Sequence, residues 1–414
     1  MRTSLLEILR CPFCTGSFSI RNSLPCPGPE HEQILDGVLR CQCTVYPVVA
    51  GIPVLSAGPA AQEVRRQLEA GRRDLALFTM LGLEGPRRNW FAQRMAAGEP
   101  LTFGQGVRFF GDDPEGAYFL YRFSDPTYRV SEAVLRLLVA QSPGFVKPVL
   151  DLCGGTGHLA RVLCQISAAS PVFLADLDFW KLWLGQRINA PDCLAVCCDA
   201  ENPLPFRSEA FSLVICSDAL HYLQGKELVI DEIGRVLDKA GVLALTHLHN
   251  ALCVNYSPGM PLSLATLRRL FRKVNGRVFK ESELLDTLLN HRELDLAQAH
   301  SDPELLDEPA WLVIATRSEG FFRKHKLPAR ARRPACLSVN PLYRIEHDGD
   351  KLLLQLQFPS KDYELEFGSC RRYLPERVEL KANAAQSFVD GRSEGTLEDL
   401  VQRGVLLDLP PHYL

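Results

Sequence analysis

Long apolar runs are missing from these 414 residues: no stretch approaches the roughly 18 uninterrupted apolar positions of a membrane span. Charge of one sign is missing too. The 46 basic and 49 acidic residues leave a net charge of −3, which provides no global attraction to phosphate backbones, although a local basic patch stays open. No internal repeat or low-complexity tract is present, so solenoid and disordered architectures drop out. The start, "MRTSLLEILRCPFC", has only a short apolar patch before a Cys pair and does not read as a cleavable signal. The expectation is a cytoplasmic protein with no membrane partner. Its length calls for two or three domains, and its oligomeric state is not legible.

Cysteine is not scarce. Of 14 cysteines, four stand as two close pairs, Cys11-Pro-Phe-Cys14 and Cys41-Gln-Cys43, and most others sit inside apolar runs such as "LAVCCDA", as reduced buried thiols do. Two such knuckles can offer four thiolates to one tetrahedral zinc, which would contribute much of the folding free energy of so short a segment. The second pair has a one-residue spacing, tighter than usual, and Cys26 in "LPCPGPE" is a substitute ligand to weigh. The flanking "LLEILRCPFC" and "DGVLRCQCTVYPVVAGIPVLS" resemble the zinc-ribbon family that activates tRNA, rRNA and protein methyltransferases, over residues 3–56. In that family the ribbon is a separate partner that docks on an enzyme; here a longer chain follows it.

Residues 60–98 have helical spacing and no strand pattern, and predict one or two connecting helices. "FGDDPEGAYFLYRFSDPTYR" then leads into "SEAVLRLLVAQ", where Ser131 is the expected N-cap. The aromatics Tyr118, Phe119, Tyr121 and Phe123 either cover a ligand or pack.

From residue 148 onward, apolar β-branched runs alternate with helical segments, which predicts an α/β fold with a doubly wound, mostly parallel sheet and ligands at the carboxyl ends of its strands. "VLDLCGGTGHLA", 149–160, makes the first strand-to-helix turn. Gly154, Gly155 and Gly157 allow a sharp turn and a close backbone approach, but they form neither the dinucleotide fingerprint nor a triphosphate loop. An acid stands before them instead. Asp151 at that place repels a pyrophosphate and suits a cationic ligand end, and S-adenosylmethionine carries both an ammonium and a sulfonium. Asp176 ends "VFLAD" at the second strand, placed for ribose hydroxyls, with Asp178 as an alternative. Asp199, in "VCCDAENPLPF", ends the third and suits an adenine amino group, with the Ala200 backbone beside it.

Taken together, residues 148–248 resemble class I S-adenosylmethionine-dependent methyltransferases, with Cys153 where a first glycine is usual and Ser212 where an aspartate is common. The resemblance implies a cofactor site of Asp151, Cys153, Gly155, Gly157, Asp176, Asp199, Ala200 and Ser217. It also puts the substrate beyond "CSDALHYL", making His221 and Tyr222 the catalytic candidates; equally, His221 opens a helix and packs its ring. The amide- and adenine-N6-type Asn/Asp-Pro-Pro-Tyr/Phe sequence is absent. His247 and His249 in "LTHLHN" follow the fifth strand on one side, and with no acid or thiol cluster near them in sequence no catalytic metal is expected.

"PAWLVIATR" (309–317) reads as the last strand of the sheet, followed by a basic linker, "RKHKLPARARR", in which Arg330, Arg332 and Arg333 are the residues to test for RNA. A hairpin around Asp348-Gly349, a strand at "YELEFG", and a helix from Thr396 to Gly404 then suggest a small α+β unit, winged-helix-like in outline. The expected organisation is a zinc ribbon at 1–58, a helical linker at 59–104, a methyltransferase domain at 105–320 and the α+β unit at 321–414. A small-molecule or carrier-bound acceptor is the leading expectation, tRNA or rRNA the second, and a non-catalytic cofactor-binding scaffold the third.

Overall fold

The computed structural model describes residues 1–25, 33–141, 147–167, 170–272, 276–328, 337–349, 351–381 and 394–414. Cys26 and Arg330, Arg332 and Arg333 lie outside them. Among the described residues no helix is long and apolar enough to cross a membrane.

Strands β1 (Ser19–Pro25), β2 (Ile34–Arg40), β3 (Val45–Val49) and β4 (Ile52–Pro53) form an antiparallel sheet in chain order. Val49 pairs with Ile52 across a two-residue turn whose Ala50 and Gly51 have φ of 49° and 83°, as a tight hairpin with the strands' own twist requires. Three helices follow rather than one or two: α1 (Pro59–Glu69), α2 (Arg73–Met80) and α3 (Gly85–Ala96). Gly71 and Gly82, at φ 73° and 64°, take the left-handed conformation that ends the first two.

Next come α4 (Phe103–Phe110), α5 (Asp113–Tyr121) and α6 (Pro126–Ala140). Asp112 and Asp125 cap α5 and α6, accepting from the amides of Glu115 and Tyr128, each with a proline in the first turn. This corrects the start expected at Ser131, which sits inside α6, fully buried, with its hydroxyl 2.7 Å from that of Thr246. The cap is Asp125 of the Asp-Pro pair, six residues earlier.

The central sheet begins with β5 (Val149–Leu152), α7 (His158–Ile166), β6 (Val172–Asp176), α8 (Phe179–Leu184) and β7 (Leu194–Cys197). It continues through β8 (Phe211–Ser217), α9 (Lys226–Val236), β9 (Leu237–His249), α10 (Leu264–Leu270) and β10 (Gly276–Lys280). Then α11 (Glu281–His291), β11 (Glu293–Asp295), α12 (Asp302–Leu306) and β12 (Ala310–Thr316) complete this part of the chain. Seven strands stand in the order β10-β12-β9-β8-β5-β6-β7, parallel except where β12 runs against β9 and β10. The winding reverses between β5 and β8, so a crevice opens at their carboxyl ends. β5 and β7 are buried at every position, which is why strands covered on both faces read as unbroken apolar runs.

The N-terminal sheet joins this one. Val54, just past β4, pairs in parallel with Cys197 of β7, and Leu9 bridges Phe206. Leu5, Leu9, Leu39, Tyr46 and Val48 share one apolar core with Phe173, Phe206 and Phe211. An edge strand that would otherwise be open is thus covered.

Beyond β12, β13 (Lys324–Lys326) pairs with β11, and β14 (Leu337–Val339) precedes a hairpin of β15 (Tyr343–Asp348) and β16 (Lys351–Leu356). The "YELEFG" segment is a helix, α13 (Lys361–Phe367), not a strand: the Ser360 hydroxyl caps it, and Tyr363 and Phe367, four apart, are buried on one face. β17 (Arg377–Lys381) adds to β16, and α14 (Glu394–Gln402) leads to β18 (Leu406–Asp408), which pairs with β14. Thr396 is therefore two residues inside α14 rather than at its start, whereas Gly404, at φ 78°, follows its end as expected.

Candidate active site

The turn after β5 puts Cys153, Gly155 and Gly157 at φ of 55°, 54° and 79°. For the glycines this is free; Cys153 bears the cost of a side chain in the left-handed region. Gly154 is needed for space, since a Cβ there would stand 2.5 Å from the Asp151 carboxyl carbon. Asp151 itself is 1% exposed, and neither carboxylate oxygen completes a hydrogen bond of ordinary geometry. Burial pushes its pKa up to about 7, partly offset by the facing amide of Ala160.

Asp176 closes over the same turn: its carboxylate accepts from the Gly155 amide at 2.8 Å and from the Asp178 amide at 3.0 Å. Burial raises its pKa, and Lys181 opposes the rise. Asp178 is instead paired with Lys181 at 2.6 Å. Asp199 lies just past β7 and holds its own turn, accepting from the Glu201 amide at 2.9 Å and the Asn202 side chain at 2.7 Å, with Ala200 buried beside it. The ring of Phe119 rests on Gly155. So one member of the aromatic run does cover the turn, while Tyr118 reaches a different cluster.

That cluster, at the ends of β8 and β9, was not visible in the sequence. Arg122, buried in the one-turn helix after α5, pairs with Asp125 at 3.0 Å and Asp218 at 3.4 Å. Tyr118 Oη donates to Asp218 Oδ2 at 2.9 Å, and His249 Nε2 lies 3.2 Å from Oδ1. His247 Nδ1 stands 2.8 Å from Glu281 Oε1 and 3.0 Å from the Thr127 hydroxyl. Ser217 joins from below, accepting from the Thr246 hydroxyl at 2.7 Å, with Ser131 and Arg122 Nη2 within 3.4 Å. Burial would raise the Asp218 pKa, but His247, His249 and Arg122 outweigh it and hold the carboxylate well below its usual range. Burial likewise lowers that of His247, yet Glu281 and Asp218 carry it up to about 9. The two histidines are thus not isolated from acids, as their sequence neighbours suggested: folding brings Asp218 and Glu281 to them. Both belong to β9 itself rather than following it. Asp218 could have been noticed, since it directly follows Ser217 in "CSDALHYL".

His221 lies in a single helical turn, Leu220–Tyr222, with its ring packed 4.0 Å from that of Tyr222 and 4.3 Å from that of His249. It is buried and neither ring nitrogen has a partner; burial lowers its pKa to about 4. Tyr222 is 53% exposed at the rim.

In the N-terminal part of the chain, the sulfurs of Cys11, Cys14, Cys41 and Cys43 lie within 4.8 Å of one another. Cys43 Sγ is 3.5 Å from those of Cys11 and Cys41, and Tyr46 Oη approaches Cys11 at 3.4 Å. The one-residue spacing of the second pair does not prevent the gathering.

Residues 150–245 match the family of the methyltransferase domain. Strand order, glycine turn and this match define that segment as a methyltransferase domain of the class I α/β fold. It is similar to the ubiquinone/menaquinone biosynthesis C-methyltransferase UbiE of Bordetella parapertussis, at 35% identity over 120 residues, 28% of this chain and 45% of that protein. The chain spans less than half the length of such curated relatives. Similar solved structures include a TehB-like SAM-dependent methyltransferase from Corynebacterium glutamicum, at 13% identity and a TM-score of 0.34, covering 56% of this chain and 98% of that one. Another is the complex between the Haloferax volcanii Trm112 methyltransferase activator and a methyltransferase, at 16% identity and a TM-score of 0.33, covering 45% and 90%.

Proposed function

We propose that this protein is an S-adenosylmethionine-dependent methyltransferase acting on a small organic or carrier-bound acceptor, with its N-terminal cysteines holding a structural zinc. The observation that carries the reading is Asp151: a fully buried carboxylate next to a glycine turn, faced by the Ala160 amide but completing no hydrogen bond of ordinary geometry, suits a cationic ligand. When bound, the cofactor supplies an electrophilic methyl group on sulfonium. Gly155 and Gly157 would let it approach the backbone, and Asp176, at the tip of β6, would accept from its ribose hydroxyls. Asp199 and Ala200 stand at the adenine end, and Phe119 shuts water out. The acceptor side is formed by the ends of β8 and β9, with His221 and Tyr222 at its wall. In-line transfer gains most from holding nucleophile and methyl in contact, which rigid strand ends do well.

A small apolar acceptor is supported by the segment after β9, where Leu252, Val254, Tyr256 and Met260 are exposed and Met260 bonds back to the His221 carbonyl. The ubiquinone and menaquinone chemistry in the relatives' name points the same way. Sulfurs about 3.5 Å apart suit zinc, for which a Zn–S bond of about 2.3 Å implies about 3.8 Å between ligands.

Calorimetric titration with S-adenosylmethionine, followed by transfer of a labelled methyl to panels of quinols, phenols and tRNA, tests this. Binding by the wild type and at least ten-fold weaker binding by Asp176→Ala is the expected result. Equal binding by both, or label in RNA alone, overturns it.

A further inference from the structure

Asp218, His247 and His249 each bring one ligand atom to a common point, all within 4.8 Å of one another. Asp218 Oδ1 is 3.2 Å from His249 Nε2 and 4.0 Å from His247 Nε2. Ligands on neighbouring positions of a cation with bonds of about 2.1 Å stand about 3.0–3.4 Å apart, so Asp218 and His249 already have ligand spacing and His247 needs to close on Asp218 by about 1 Å or less.

Their outer partners already face the right way. His247 turns Nδ1 to the Glu281 carboxylate at 2.8 Å, which leaves Nε2 for the cluster, as in carboxylate–histidine–metal arrangements. The second oxygen of Asp218 is taken by Tyr118 and by Arg122, on the side away from the histidines. Arg122 brings a positive charge near the point, but Asp125 pairs with it at 3.0 Å. Two carboxylates, Asp125 and Asp218, thus face the Arg122 guanidinium, and a third, Glu281, faces His247. With His247 neutral, as a ligand must be, the buried excess is two negative charges, which one divalent cation cancels; without the cation a proton on His247 offsets one of them.

Two further observations are independent of this count. Asp218 and His247 hold φ of 53° and 56°, a conformation non-glycine residues adopt at a cost and keep where a site fixes them. Moreover, Glu281 Oε2 is buried without a partner beside the cluster, and so are both nitrogens of His221, whose ring touches that of His249.

We propose that Asp218, His247 and His249 bind one divalent transition-metal cation at the ends of β8 and β9, separate from the cysteine site. Two imidazoles and one carboxylate leave open positions and suit manganese, iron, cobalt or zinc. An oxygen of the acceptor takes one of them and is held by the cation. That last step rests on the transferase reading; the cation site does not.

The test is a titration of the full-length, zinc-loaded protein with Mn2+, a probe that thiolates bind poorly, followed by the electron-spin-resonance signal of free Mn2+. One Mn2+ bound per chain is expected, with at least ten-fold weaker binding by both His249→Ala and Asp218→Asn and no change in cysteine-bound zinc. No Mn2+ uptake by the wild type, together with no Co2+ or Zn2+ beyond one equivalent, overturns the site whatever the variants do. Unaltered uptake by Asp218→Asn overturns the ligand set. S-adenosylmethionine titrated in parallel separates the two readings: metal uptake without cofactor binding supports the cation site and rejects the transferase.

Discussion

Phe119 lies on Gly155 so closely that a Cβ on the glycine would stand 2.8 Å from the ring's Cε1 atom. Gly155→Ala therefore meets two penalties, the ring and a φ of 54°. A loss of about 1–3 kcal/mol is expected, with weaker cofactor binding because the ring must leave the turn. Thermal unfolding and calorimetric titration of the variant check both parts.

Asp151 makes stability depend on pH. Its folded pKa of about 7 lies above the unfolded carboxyl value of about 3.9, so the folded chain keeps a proton that the unfolded chain has lost. The stabilisation is fully present below about pH 4 and disappears as pH rises to 7, an effect on the order of 4 kcal/mol. Urea unfolding from pH 4.5 to 8 should show the wild type losing stability relative to Asp151→Asn. Parallel profiles would contradict the assignment.

Tyr413 reaches into the same region from the far end of the fold. Its ring stacks on Phe103 at 4.6 Å, and its hydroxyl donates to the Phe119 carbonyl at 3.1 Å and contacts His158 Nε2 at 3.1 Å. Tyr413→Ala should cost about 3–5 kcal/mol as a buried aromatic truncation. It should also weaken S-adenosylmethionine binding, through the loosened Phe119, more than an equally destabilising change such as Leu380→Ala within the three-stranded C-terminal sheet.

Leu9 is fully buried between the cysteine-bearing segment and the central sheet. Leu9→Ala should destabilise the protein by about 2–5 kcal/mol. Chelation, or Cys11→Ser, should lower the melting temperature and raise the binding of an apolar dye as this surface opens. An unchanged melting curve after metal removal would reject a structural ion.

The sheet was legible because strands buried on both faces write themselves as continuous apolar runs, and each strand-end acid stands out by ending one. Asp151 and Asp176 could be found that way. The cluster on Asp218 could not: Arg122 and Asp125 are three apart, but Asp218, His247 and Glu281 come from distant parts of the chain, and only packing brings them to that pair. Short signals also misled. "YELEFG" alternates like a strand, yet Tyr363 and Phe367 are four apart, and over so few residues both periods fit. Ser131 looked like a cap because its hydroxyl suits one, but Asp125 with Pro126 starts the helix.

The Leu55 amide, beside the Val54 bridge, donates to the Cys197 carbonyl and ties the cysteine-bearing module to the margin of the central sheet within one polypeptide. Contact between them is consequently an intramolecular event, set by an effective local concentration on the order of millimolar rather than by how much protein a cell makes. Dilution will not part the two, so any control over their association has to act on the fold.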